Sequence, residues 1–312
     1  MNFTAQDVKA LREKTGVGMM ECKKALTEAD GDMDKAIDYL RERGLAAAQK
    51  KAARIAAEGI VLSYADDAAK KGVVIEVNSE TDFVAKNDKF VQFVTDCAKT
   101  IIATGVKTVE ELTAAEYMGT GRTVSETLND LILAIGENMK IRRFEVMEGL
   151  LATYVHAGGS VGVMVGFDAA DESKAATAEF KDMGKNVAMQ IAAMNPPYLD
   201  EASVPADVIA HEKSILASQM KEDPKMASKP EAVLEKIAAG KMGKYYKENC
   251  LVDQEFVRGD LYDGNVKGYV DSVAKALGTE IKINGFIRMT RGEGLEKRQE
   301  NFAEEIAKQI RQ

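Results

Sequence analysis

Thr81-Asp82-Phe83-Val84-Ala85-Lys86-Asn87 is the stretch whose setting decides the fold. Just before it, Val73-Val74-Ile75-Glu76-Val77 is an apolar, β-branched run of the kind that forms a buried strand. Just after it, Phe90, Phe93, Val94, Cys97, Ile101 and Ile102 recur at helical spacing, with Asp88 as the expected N-cap and Gly105 as the stop. A polar turn carrying an acidic and an aromatic residue therefore joins a strand to a helix. Local chemistry offers one account of it: Thr81 or Asp82 caps the helix, and Phe83 and Val84 fold into the core, where large aromatics usually sit.

Working outward, Ile60-Val61-Leu62-Ser63-Tyr64 and the 73–77 strand read as a hairpin, with the helix Asp88–Thr104 across it. Thr108 and Glu111 suggest another capped segment. Val124, Leu128, Leu131, Ile132 and Ile135 form an amphipathic helix ending at Gly136, and a strand follows over 141–146. Strands and helices mix without strict alternation, which predicts an α+β sandwich rather than a doubly wound sheet. The pattern then repeats. Leu151-Ala152-Thr153-Tyr154-Val155 aligns with Val61-Leu62-Ser63-Tyr64, and 159–165 aligns with 71–77. A second long helix carries Phe180, Met183, Val187, Ala188 and Ile191, and the strand Ile281–Thr290 closes the unit. Such a duplication predicts two similar subdomains side by side. The second copy has no Asp-Phe pair after its strand, which marks Asp82-Phe83 as an addition to the fold.

Residues 1–44 read as three short helices: Thr4 and Asp7 start the first, Gly16 ends it, and Asp32 caps the third, which stops at Gly44. Met19 and Met20 on the second cannot both face one small core, so at least one is exposed. An Ala-rich solvated helix over 45–58 links this unit to the core. All five prolines fall between 196 and 230, where two charged helices over 205–221 and 231–249 form an inserted hairpin. The expected organisation is therefore 1–44, a linker helix 45–58, a first core subdomain 59–146, and a second over 147–199 and 251–294. The hairpin occupies 200–250 and a helical module 295–312.

At 312 residues the chain exceeds one ordinary core. With 46% hydrophobic and 29% charged residues it is a folded protein, and its net charge of −8 argues against a general nucleic-acid binder. No apolar run is long enough for a membrane span, and Met1-Asn2-Phe3-Thr4 begins no signal or transit peptide. Cys22, Cys97 and Cys250 read as reduced packing residues of a cytoplasmic protein. His156 and His211 have no Cys or His at metal-ligand spacing, and no phosphate loop, dinucleotide fingerprint or nucleophile elbow occurs. Neither catalytic residues, a metal nor a cofactor is expected. Two other readings stand beside a protein-binding role: RNA contact through Lys50, Lys51, Arg54, Arg142 and Arg143, or an enzyme using His156 with a carboxylate.

The chain resembles the elongation factor Ts family at Thr81–Asn87, at residues 16–26, at Ala134-Ile135-Gly136-Glu137-Asn138 with Arg142-Arg143, and at the loop Val155-His156-Ala157-Gly158-Gly159. The resemblance implies a guanine nucleotide exchange factor that binds elongation factor Tu and expels its GDP. It implies a UBA-like N-terminal domain whose Met19, Met20 and Lys23 contact the partner. Thr81, Asp82, Phe83, Val84, Ala85, Lys86 and Asn87 would disturb the partner's Mg²⁺ site, and Ile135, Gly136 and His156 would press nearby. Lys86 stands where arginine is common, keeping the charge without the fork geometry. In relatives the hairpin position carries a module associated with dimerisation, so a homodimer through it is an expectation. The last helix, with Phe302 and Ile306, would pack on the partner; periodicity alone allows it to pack on its own core.

Overall fold

The computed structural model describes residues 2–223 and 229–296. Three helices open the chain: α1 (Ala5–Thr15), α2 (Met19–Glu28) and α3 (Met33–Lys51). The Thr4–Asp7 capping box starts α1, Gly16 ends it in the left-handed conformation at φ 73°, and Asp32 caps α3. Val8, Leu11, Cys22, Ala25, Leu26, Ala36 and Leu40 make the small core between them.

The third helix does not stop at Gly44. It runs on to Lys51, so there is no separate helix over 45–58. Gly44 is there for closeness rather than termination: a Cβ would sit 3.2 Å from the carbonyl oxygen of Asn129.

The core follows with strands β1 (Glu58–Asp66) and β2 (Lys71–Ser79), the single turn α4 (Asp82–Ala85), and helices α5 (Asp88–Thr104), α6 (Val109–Ala114) and α7 (Val124–Ile135). Strand β3 (Met139–Glu148) completes an antiparallel sheet of order β1-β2-β3. The cap of α5 is Asn87, not Asp88: its Oδ1 accepts from the Lys89 and Phe90 amides. Phe90, Phe93, Val94, Cys97 and Ile101 on α5 pack onto Val73, Ile75 and Val77.

Then come β4 (Leu150–His156), β5 (Val161–Ala169), α8 (Ala178–Met194), the hairpin α9 (Ala206–Glu222) and α10 (Glu231–Asn249), α11 (Val266–Leu277) and β6 (Ile281–Thr290). The second sheet has the order β4-β5-β6. Helix α11, absent from the sequence reading, supplies Val266, Tyr269, Val270 and Ala274 to the second core. It stands where α7 stands in the first copy, from the N-cap Asn265 (for Thr123) to Gly278 (for Gly136).

The pairing corrects the alignment of the repeats by two residues. Tyr64 faces Val73 and Tyr154 faces Val163, so Val163, not Val161, corresponds to Val73. Both central strands carry a register shift at matching points, Glu76/Val77 and Gly166/Phe167. The linking turns also match in length: a short 3₁₀ helix, Glu172–Ala176, lies where α4 lies. The turn is thus part of the fold, and only the Phe83 side chain is extra. Val61, Val74, Met164, Ile287 and Met289 fill the space between the two sheets, making an α+β sandwich.

Candidate functional site

Strand β2 ends at Ser79, whose hydroxyl donates to the Thr81 carbonyl at 2.9 Å. Thr81 has extended backbone and precedes α4, yet its side chain does not cap that turn. Its hydroxyl instead donates to Oε1 of Glu137 at 2.7 Å, while its N–H donates to Oε2 at 3.0 Å. At the far end Asn87 caps α5, so the turn is fastened on both sides. Successive helical residues point about 100° apart, and that separates Phe83 from Val84. Val84 and Ala85 are buried in the first core, whereas Phe83 is 79% exposed. The account that buries both residues fails for Phe83. Burying such a ring would be worth about 2 kcal/mol, so its exposure on a fastened turn is costly to the free protein. Asp82 and Lys86 are exposed and paired at 3.1 Å, a contact of little energetic weight.

The neighbouring turn belongs to the end of α7. Gly136, at φ 90°, closes that helix by donating to Ile132 O at 2.9 Å. Ile135 is half-buried and Gly136 exposed. Glu137 and Asn138 then join this turn to the 80–82 segment, since the Asn138 N–H donates to Glu80 Oε1 at 2.6 Å. The structure therefore ties the residues that follow Ile135 and Gly136 to the residues that lead into the Asp82-Phe83 turn. Sequence reasoning missed Glu80 and Glu137 as the join. Glu80 directly precedes one motif and Glu137 lies within another, but nothing local shows that they meet.

His156 is exposed and is the last residue of β4, not a loop residue. Its Nδ1 lies 3.0 Å from the Tyr154 hydroxyl. The turn after it packs on the start of β1, where Gly159 O accepts from Val61 N at 2.8 Å. That start lies beside the end of β2 leading into the Asp82-Phe83 turn. On α2, Met19 and Met20 are 42% and 76% exposed, and Lys23 is exposed too. The turn between α1 and α2 lies against Lys89, at the start of α5. Phe302 and Ile306 lie outside the described residues.

The cations of the RNA reading are engaged elsewhere. Lys51 donates to Ile132 O, Arg54 pairs with Glu80 at 3.4 Å, and Arg142 and Arg143 both bind the buried Glu76. Lys50 is exposed and, among the described residues, has no such engagement. Among the described residues no group of three or more His, Cys, Asp or Glu side chains could hold a metal ion. No helix among them is long and apolar enough to cross a membrane.

Known proteins resemble this chain in sequence. The family model for elongation factor TS matches residues 80–293. An elongation factor Ts of Clostridium kluyveri is 49% identical over 312 residues, covering 99% of both chains. One from Magnetococcus marinus is 45% identical over 313 residues, with 99% of each covered, and one from Clostridium perfringens is 48% identical over 309, with 98% of each covered. A match that runs through the exposed Phe83 turn, both sheets and the hairpin places this chain in the elongation factor Ts family.

Proposed function

We propose that this translation elongation factor binds elongation factor Tu, in GDP-bound and nucleotide-free forms, and promotes exchange of GDP for GTP. The observation that carries this reading is Phe83: a large ring held out in solvent by a turn fastened at both ends. Aromatic side chains that enter a partner's pocket are common anchors of protein interfaces. Asp82 and Phe83 enter the partner, with Phe83 wedged between its helices and the groups around its Mg²⁺ displaced. Ile135, Gly136 and His156 press beside the phosphate-binding loop. Met19, Met20 and Lys23 hold the nucleotide-binding domain, and Phe302 and Ile306 add contacts from the C-terminal segment.

The protein performs no covalent step of its own. It acts by linkage: if it weakens GDP binding by some factor, GDP weakens its binding by the same factor. Ordinary couplings of about 1–3 kcal/mol are too small to release a very tightly held nucleotide, so several contacts must act together. GTP then displaces the factor, which is not consumed. The domain scheme of the sequence reading, amended so that residues 45–51 belong to α3 and no linker helix stands alone, a cytoplasmic location and a homodimer through the α9–α10 hairpin belong to the same proposal. Membrane and nucleic-acid partners do not, given the net charge of −8.

The test is release of a fluorescent GDP analogue from purified elongation factor Tu. Strong acceleration that Phe83→Ala reduces, without loss of thermal stability, supports function and wedge together. Acceleration indifferent to that substitution discards the wedge. No acceleration with a cognate partner discards the function.

A further inference from the structure

The two turns of the candidate site exchange carboxylates. Glu137, from the turn after α7, receives the N–H and hydroxyl of Thr81 at 3.0 and 2.7 Å. Glu80, from the turn after β2, receives the Asn138 N–H at 2.6 Å. Asn138 Nδ2 then donates to Arg54 O at 2.8 Å, and Arg54 Nη1 lies 3.4 Å from Glu80, which closes a ring of contacts. Charge-assisted bonds such as these are roughly twice as strong as neutral ones.

The second copy of the fold supplies an internal comparison. By strand register, positions 170, 171, 279 and 280 match 80, 81, 137 and 138. There the join is a neutral hydroxyl, Thr279 Oγ1 accepting from Asp171 N at 3.0 Å, with a backbone bond from Ala170 N to Glu280 O. The fold is satisfied with that. The copy that presents an exposed aromatic has two carboxylates instead, where the other has Ser173 at the place of Phe83. Helix α4 is one turn long and cannot stiffen itself, so any freedom at Thr81 passes to Phe83 two residues later.

We propose that Glu80 and Glu137 are positioning residues for nucleotide exchange, setting Phe83 and the Ile135-Gly136 turn as one rigid surface. The proposal rests on the exchange reading above. A wedge that must first be ordered spends its binding free energy on ordering, and misplacement by an ångström is enough to cost large factors in rate.

The experiment measures GDP-analogue release from elongation factor Tu over a range of factor concentrations, with Glu137→Gln, Phe83→Ala and the double variant. Glu137→Gln sets an amide N–H₂ against the Thr81 donors without changing shape. The saturating rate is expected to fall about ten-fold, with the half-saturating concentration and the unfolding midpoint nearly unchanged. In the Phe83→Ala background the same change has little further effect, within about two-fold. Hydrogen–deuterium exchange of the 80–87 segment is expected to rise in Glu137→Gln. Should that variant not fold, Glu80→Gln tests the other half of the clasp. A saturating rate equal to wild type, an equal loss on both backgrounds, or a rise confined to the half-saturating concentration each overturns the proposal. If wild type accelerates and Phe83→Ala slows release, such a result falls on the clasp alone. If wild type does not accelerate, the exchange reading fails and the clasp with it.

Discussion

Glu76, with no exposed surface, accepts a 2.7 Å hydrogen bond from Nε of Arg143 on the adjoining strand. Arg142 Nη1 reaches the same carboxylate at 3.0 and 3.1 Å, Asn78 at 3.0 Å, and the N–H of Gly292 at 2.7 Å. Because Gly292 follows β6, one side chain of the first sheet ties down the end of the second. The corresponding place in the second copy is Gly166, beside Asn284. Removing one partner of a buried ion pair leaves the other charge uncompensated. Glu76→Ala is expected to cost about 3 kcal/mol, read as a lower urea midpoint.

The same carboxylate sets an acid limit. Burial pushes its pKa up, but the bonds from Gly292, Asn78, Arg143 and Arg142 outweigh burial and hold it below the ordinary value. A group whose folded pKa is depressed contributes stability that is complete above its unfolded value and lost as pH falls through the folded one. Stability should therefore decline below about pH 4.3. Glu76→Gln should be weaker at neutral pH and show a shallower decline in acid. Equal acid slopes for the two proteins would refute this assignment.

The three thiols are fully buried. Burial pushes all three up, Cys250 to about 11; weaker contacts such as Thr15 oppose it at Cys22, whereas nearby carboxylates add to it at Cys97 and Cys250. Thiolate is the reactive form. At pH 8 the native protein should leave a thiol reagent unconsumed over minutes, and in denaturing urea it should consume one equivalent per cysteine.

Gly59 holds φ 107° at the start of β1, where a Cβ would run into the Val77 carbonyl oxygen. Backbone blocks it, so no flexible side chain can yield. Gly59→Ala is expected to lose about 3 kcal/mol in chemical unfolding. A change below about 1 kcal/mol would mean that the strand re-registers.

Much of this was legible where the signal is local. The capping boxes at Thr4 and Thr108, the stops at Gly16, Gly105 and Gly136, and the apolar stripe of α5 need only neighbouring residues to be read. Gly44 misled because a glycine that ends a helix and one that admits another backbone look alike in sequence. The two-residue error between the repeats preserved the alternation of faces, so patterning could not expose it. Phe83 and Val84 were equally apolar candidates for the core, and the turn's orientation, set from far along the chain by Glu137, decides between them. The Glu80–Glu137 clasp has no local signature at all.

The hairpin offers the last test. Its two ends meet: Tyr198 N donates to Asn249 O at 3.2 Å, and Leu251 N donates to Tyr198 O at 2.9 Å. Met220 and Met242 are buried, while Ile215 and Val233 stay 37% and 39% exposed. An element that leaves and returns at one place can be removed without opening the core. Replacing residues 206–247 with a Gly/Ser linker should shift the unfolding midpoint of the remainder by less than about 3 °C. If the exposed seam of the hairpin mates with a second copy, sedimentation of the full chain gives a dimer and of the shortened chain a monomer. Equal masses for both would place any self-association elsewhere, and a large stability loss would show that the hairpin braces the second core.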